Sequence, residues 1–128
     1  MAYSTYSSET LLKWLFTTDT VSRPTAWTVR LYDGDPENGG SELTDTDYVA
    51  QTATFTVADS DSNGRSEATN DAAVVFPAIT DATVTVEYVV ITDENDNILA
   101  QLQLDPARQL DVGNILSFPA GGIVIKGE

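Results

Sequence analysis

The chain has 128 residues, with 20 acidic and 6 basic side chains, and its net charge at pH 7 is −14. It contains neither cysteine nor histidine, which excludes disulfides, thiol nucleophiles, Ser-His-Asp triads and the usual zinc sites. A surface this acidic repels nucleic acid and anionic membranes, and no apolar run reaches the roughly 18 residues of a membrane-spanning helix.

Residues 1–7 are polar, and we expect them to form a flexible N-terminal arm ahead of a short helix over residues 8–16. Ser8 is a suitable N-cap, and Glu9 then lies in the first turn, where the helix dipole favours a negative charge. The helix carries a broad apolar stripe made of Leu11, Leu12, Trp14, Leu15 and Phe16.

An isolated helix of this length is marginal in water, so its stripe must dock on something. One interpretation is a lid on one end or edge of a β-sheet, and the other is a surface offered to a partner subunit. Tyr3, Tyr6 and Trp14 are the candidate partner contacts, because aromatic side chains outside a core favour interfaces.

Alternating apolar and polar residues predict strands over residues 27–32 and 48–57. The intervening residues 33–40 are rich in Asp, Gly and Pro, which indicates a loop. Residues 72–76 form a short apolar strand that Pro77 ends or pushes to a sheet edge.

The polar segment 59–71 is predicted to be a loop, and its first half matches part of a calcium-binding pattern. Asp59, Asp61 and Asn63 place oxygen ligands at alternate positions, and Gly64 permits the sharp turn. Position 12 of the pattern is Asn70 where a bidentate Glu is needed, so a polar hairpin loop is the competing interpretation. Calcium is the single cofactor that the residues suggest.

Residues 83–104 predict the central β-hairpin of an antiparallel sheet. The first arm is rich in β-branched residues, and the second alternates Ile98, Ala100, Leu102 and Leu104 with polar side chains. Residues 93–97 (DENDN) supply the turn, and Asp105-Pro106 is expected to break the second strand.

Closing strands are predicted over residues 115–118 and 123–126. About seven short strands, polar loops and the absence of a βαβ rhythm predict an all-β fold, an antiparallel β-sandwich with one short N-terminal helix. Nothing resembling a linker divides the chain, so we expect one domain over residues 1–128.

Pairs of acids invite comparison with general acid/base sites, for example Asp33 with Asp35 and Asp45 with Asp47. Glycosidase carboxylates need a defined separation across a cleft, and such pairs arise by chance in a chain with 20 acids. We interpret these residues as solvated loop positions and predict no enzymatic activity.

A series of short motifs follows in order after residue 10. They occupy residues 11–12, 31–36 (LYDGDP), 42, 48–51 (YVAQ), 70, 72–78 (AAVVFPA), 89–93 (VVITD), 97–100 (NILA), 111–113 (DVG) and 118–123 (FPAGGI). Their order resembles a family of small structural proteins of tailed phages and prophages, labelled tail fibre or minor tail proteins. The chain departs from that family in its acidity and in the loop at 59–64.

The resemblance implies a β-sandwich subunit of a virion, located in the tail, its fibres or the neck, with capsid decoration as the second location. It implies assembly with other virion proteins, as a homo-oligomer, and it carries no catalytic residues. The alternative from a different class is a calcium- or carbohydrate-binding β-sandwich module. The acidity favours a salt-rich environment, as for a virus of a halophilic host, or simply a very soluble surface.

Overall fold

A computed structural model describes residues 2–58 and 66–126 of the chain. Within this part there is one α-helix, α1 (Thr5–Phe16), and a short 3-10 helix over Pro36–Asn38. The strands there are β1 (Ala2–Tyr3), β2 (Trp27–Tyr32), β3 (Gln51–Ala53), β4 (Phe55–Ala58), β5 (Glu67–Asn70), β6 (Val74–Val75), β7 (Val84–Thr92), β8 (Ile98–Leu110), β9 (Ser117–Phe118) and β10 (Val124–Lys126).

The predicted hairpin is confirmed as β7 and β8, which lie at the centre of a five-stranded antiparallel sheet in the order β1-β8-β7-β2-β3. Asp93 organises the turn, because its Oδ1 accepts hydrogen bonds of 2.9 Å from the backbone N–H groups of both Asn95 and Asn97. Polar residues that bond their own backbone thus close the turn, as the sequence predicted.

The predicted break at Asp105-Pro106 is wrong, since β8 continues to Leu110. The register shifts there, with Tyr88 opposite Gln103 but Val86 opposite Arg108. The extra residues of β8 form a β-bulge at this point. Because residues in a bulge do not take part in the regular hydrogen bonding between strands, Pro106, which lacks a backbone N–H, does not end the pairing of β8 with β7.

The second layer consists of a three-stranded sheet, β10-β5-β4, and a two-stranded sheet, β6-β9. The strand predicted over residues 48–57 is in fact two strands, because the chain changes sheets at Thr54. Ala53 pairs with Trp27 in the first sheet, whereas Phe55 pairs with Asn70 in the second layer. Strand β5 lies in the segment predicted to be a loop, because three of its four residues are polar.

Apolar side chains of the two layers meet in one core, which confirms the predicted all-β sandwich. The first sheet contributes Val29, Leu31, Val86, Val89, Ile91 and Leu110, and the second layer and its loops contribute Leu43, Val74, Phe76, Ile79, Leu116 and Ile123. The described residues form more strands than the seven expected, since the short β1 and β5 and the division of β3 from β4 were not predicted.

The N-terminus differs from the predicted arm and helix. Residues 2–3 form β1 against β8, and α1 begins at Thr5, so Ser4 is the N-cap rather than Ser8. Ser4 Oγ accepts a hydrogen bond of 3.0 Å from the backbone N–H of Ser7. No helix in the described ranges is long and apolar enough to cross a membrane.

Candidate assembly surface

The first turn of α1 is fixed to the start of β8. Ser4 is 1% exposed, and its hydroxyl donates a hydrogen bond to the carbonyl of Ile98. The hydroxyl of Ser7 donates to the carbonyl of Leu99 at 2.6 Å. The backbone N–H of Thr5 donates to Glu37 Oε1 at 3.0 Å. These hydrogen bonds connect the N-terminal end of α1 to the start of β8 and to Glu37. They therefore fix the direction in which the rest of the helix extends.

Beyond that turn, α1 leaves its apolar side chains in solvent. None of its twelve residues is buried. The large apolar residues of its second half are exposed to different degrees: Leu11 42%, Leu12 57%, Trp14 67%, Leu15 54% and Phe16 76%. A lid would bury this stripe against its own sheet, so these exposures favour the partner-surface interpretation of the two considered from the sequence.

One side of α1 forms the wall of an open groove of about 770 Å³ between the helix and the sandwich. Tyr6 and Trp14 line it from the helix, and Trp27, Phe55 and Val57 line it from the strands. Arg23 is the one charged side chain among its described lining residues. The groove is therefore an apolar, nearly uncharged feature on a strongly acidic protein.

Two of the three predicted partner residues, Tyr6 and Trp14, come together at this groove. Tyr3 lies in β1, opposite Ala100 of β8. Their contact with a partner stays a prediction. Leu12, Leu15 and Phe16 were not selected from the sequence as partner residues. The sequence shows the apolar stripe of α1, but it does not show which side of the helix the rest of the chain covers.

The predicted calcium ligands Asp59, Asp61 and Asn63 lie outside the described residues, so calcium binding stays a prediction. Across residues 2–58 and 66–126, the structure contains no cluster of three or more carboxylates arranged to hold a metal ion.

The acid pairs turn out to support loops. Asp45 is only 8% exposed, so the expectation that it is a solvated loop residue is wrong. Its Oδ1 accepts hydrogen bonds from the backbone N–H groups of Asp81 at 2.8 Å and Thr80 at 3.1 Å. These bonds, led by the one from Asp81, hold the pKa of Asp45 below its usual value.

Asp35 acts similarly at the start of the 3-10 helix. Its carboxylate accepts from the side chain of Asn38 at 2.8 Å and from the backbone N–H of Glu37 at 2.9 Å, and these bonds lower the pKa of Asp35. A general acid that works near neutral pH needs a raised pKa. Asp35 and Asp45 are shifted in the opposite direction, which suits a structural role.

Two further polar side chains satisfy buried backbone groups, a role that the sequence did not predict. The Tyr48 hydroxyl accepts from the backbone N–H of Leu31 at 3.0 Å and donates to Glu42 at 2.7 Å. The side chain of Asn70, 2% exposed, donates to the carbonyls of Ala72 and Pro119 and accepts from the N–H of Ile123. Tyr48 and Asn70 thereby connect separate segments of the chain, and no local sequence pattern predicts such connections.

Comparison with known proteins gives one family. The family described as Podophage GP4 fiber I protein gp80 matches residues 2–126, nearly the whole chain. No curated protein matches the chain.

Proposed function

The chain belongs to this family of podophage fibre proteins and is a structural component of the virus particle, and from that premise we propose that it works by assembly, without catalysis, as part of a tail fibre. The family description supports a location in a fibre over the neck or capsid decoration. Its partners in this proposal are other virion proteins and further copies of itself, whereas its charge of −14 disfavours nucleic acid and anionic membranes.

The observation that carries the proposal is the exposed apolar surface of α1. Its five large apolar residues are between 42% and 76% exposed. At about 1.5–3 kcal/mol for burying one such side chain completely, the exposed fractions leave roughly 4–9 kcal/mol of transfer free energy unused. That amount is comparable to the net free energy of unfolding of a typical small domain, and burial against a partner would recover it.

The acidity supports a second element of the proposal, a salt-rich working environment. Copies with a charge of −14 repel one another when packed in a fibre. At molar salt the Debye length falls to about 3 Å, so the repulsion is screened and association through the apolar surface is favoured.

The test uses virus particles that carry substituted chains. Trp14→Ser on α1 is compared with Val112→Ser, a control at an apolar turn residue that is likewise exposed, at 56%. Quantitative mass spectrometry of purified particles, separated into fibre, tail and head fractions, measures the amount of the chain in each. We expect the wild type and Val112→Ser in the fibre fraction and depletion of Trp14→Ser.

Wild-type chain found only in the head fraction would overturn the fibre location. Normal incorporation of folded Trp14→Ser would overturn the role of Trp14 in assembly. Circular dichroism of each purified variant establishes that it is folded.

A further inference from the structure

We infer that the outward side of α1 is a self-association surface, on which the same helix of a second copy packs. This inference rests on the proposed function as a fibre component and names the partner of its assembly surface. The outward side is formed by Leu12, Leu15 and Phe16, called here the outer stripe.

Helical geometry separates the outer stripe from the groove. Successive residues turn by about 100°, so Tyr6, Thr10 and Trp14, spaced by four, lie on one side of the helix. All three line the groove. The outer-stripe residues do not line it, and their exposures of 57%, 54% and 76% show that the described chain leaves them uncovered.

Charge identifies a second copy as the occupant. Two copies of a chain with a charge of −14 repel each other over most of their surface, so they can approach closely only where the local charge is near zero. The charged side chains of α1 are Glu9 and Lys13, which form an ion pair at 3.4 Å and cancel. A basic partner would gain little attraction at this helix and more at the acidic surfaces, whereas a second copy meets no like charge there.

The size of the surface fits a modest interface. The three exposed side chains of the outer stripe present on the order of 300 Å² of apolar surface. With the surrounding polar side chains, a contact between two such helices buries about 500 Å² per partner, the size of weak, transient interfaces. We therefore expect reversible, concentration-dependent association that strengthens with salt.

Sedimentation equilibrium of the full chain in 1 M NaCl tests the inference. The variant Leu12→Gln/Leu15→Gln removes apolar surface from the outer stripe while keeping good helix formers and the net charge. The matched control, Val112→Gln/Ile115→Gln, changes two apolar residues that are 56% and 58% exposed near the other end of β8. We expect the dissociation constant to rise at least about 30-fold in the α1 variant and to stay unchanged in the control.

Spin labels test which surfaces meet. Since the chain has no cysteine, Ser8→Cys and Val112→Cys each accept a single label. Packed helix axes lie about 8–10 Å apart, so labels at position 8 should show strong dipolar coupling in the associated form, and labels at position 112 should show much weaker coupling.

A wild-type chain that stays monomeric at millimolar concentration in molar salt would overturn the inference. So would association that Leu12→Gln/Leu15→Gln leaves intact, or labels that are closer at position 112 than at position 8. If the chain is nevertheless found in the fibre fraction of the virion, the proposed function stands and a different virion protein covers α1. Self-association through α1 by a chain absent from the fibre fraction would instead overturn the proposed function alone.

Discussion

Tyr48→Phe removes a single hydroxyl from the junction of the two layers, and its effect can be worked out from the geometry. The hydroxyl accepts a 3.0 Å hydrogen bond from the backbone N–H of Leu31, which is 1% exposed. Strand β3 pairs with β2 only along Trp27–Val29, so this hydroxyl takes the place of a strand partner beyond the end of β3. The ring of Tyr48 stacks on Phe76 with centroids 6.1 Å apart, and a phenyl ring retains that contact.

The substitution therefore leaves the N–H of Leu31 buried without its partner. An unsatisfied buried donor costs about 1–3 kcal/mol, and we expect the free energy of unfolding to fall by that amount. For a domain of this length, each kcal/mol lowers the Tm by about 3–5 °C. Urea denaturation followed by circular dichroism measures the loss, with an unchanged m-value showing that the unfolding reaction is the same.

Tyr32→Phe is the matched control, because the Tyr32 hydroxyl makes no hydrogen bond to any residue in the described ranges. We expect it to cost less than about 0.5 kcal/mol, the usual limit for a substitution away from such features. If Tyr48→Phe and Tyr32→Phe have equal free energies of unfolding, the Leu31 bond contributes nothing and the reasoning fails.

Tyr48 should also make the stability of the fold depend on pH in the alkaline range. Burial, followed by the hydrogen bond to the carboxylate of Glu42, raises the pKa of Tyr48 above its ordinary value. Above about pH 10 the unfolded chain ionises this tyrosine while the folded chain keeps it neutral, so stability is lost as pH rises. Tyr48→Phe should lose stability less steeply between pH 10 and 11 than the wild type, and parallel curves would contradict this assignment.

Four further perturbations test other parts of the structure. Asp45→Asn should destabilise the fold at pH 7 more than the exposed Asp47→Asn. Because the Asp45 pKa is lowered, this difference should shrink as pH falls below about 4, as thermal unfolding at several pH values would show. Asn70→Asp turns a carboxylate toward two carbonyls and should cost roughly 2–4 kcal/mol at pH 7 in urea denaturation, with partial recovery on acidification. The Tm should rise between 0.1 and 2 M NaCl as salt screens the net charge of −14, and a flat profile would contradict the salt-rich environment. If the predicted calcium loop binds metal, millimolar calcium should raise the Tm of the wild type but not of Asp61→Asn, as a thermal-shift titration would show.

The central hairpin was predictable because its signals are local. Two apolar runs flank a polar turn, and the carboxylate of Asp93 that closes this turn is within four residues of both partners. The strands at 27–32 and 84–92 follow from alternation and β-branched residues, which depend on neighbours along the chain.

The N-cap shows where local signals become ambiguous. Ser4 and Ser8 are chemically identical cap candidates, and the sequence favoured Ser8 because Glu9 follows it. The structure uses Ser4, since Ser4 and Ser7 also bond the carbonyls of Ile98 and Leu99, which lie more than 90 residues away. Long-range partners therefore decided between two equivalent local solutions.

Composition and periodicity alone established the all-β class, the excess of negative charge, and the lack of thiol and imidazole chemistry, because these depend on residue identity and near neighbours. Folding in three dimensions decided where the chain changes sheets at Thr54, that polar β5 is a strand, and which buried donors Tyr48 and Asn70 satisfy. It also decided that the apolar residues of α1 remain in solvent. Each of these depends on which distant segments pack together, and the pairing of distant segments leaves no periodic trace in the sequence.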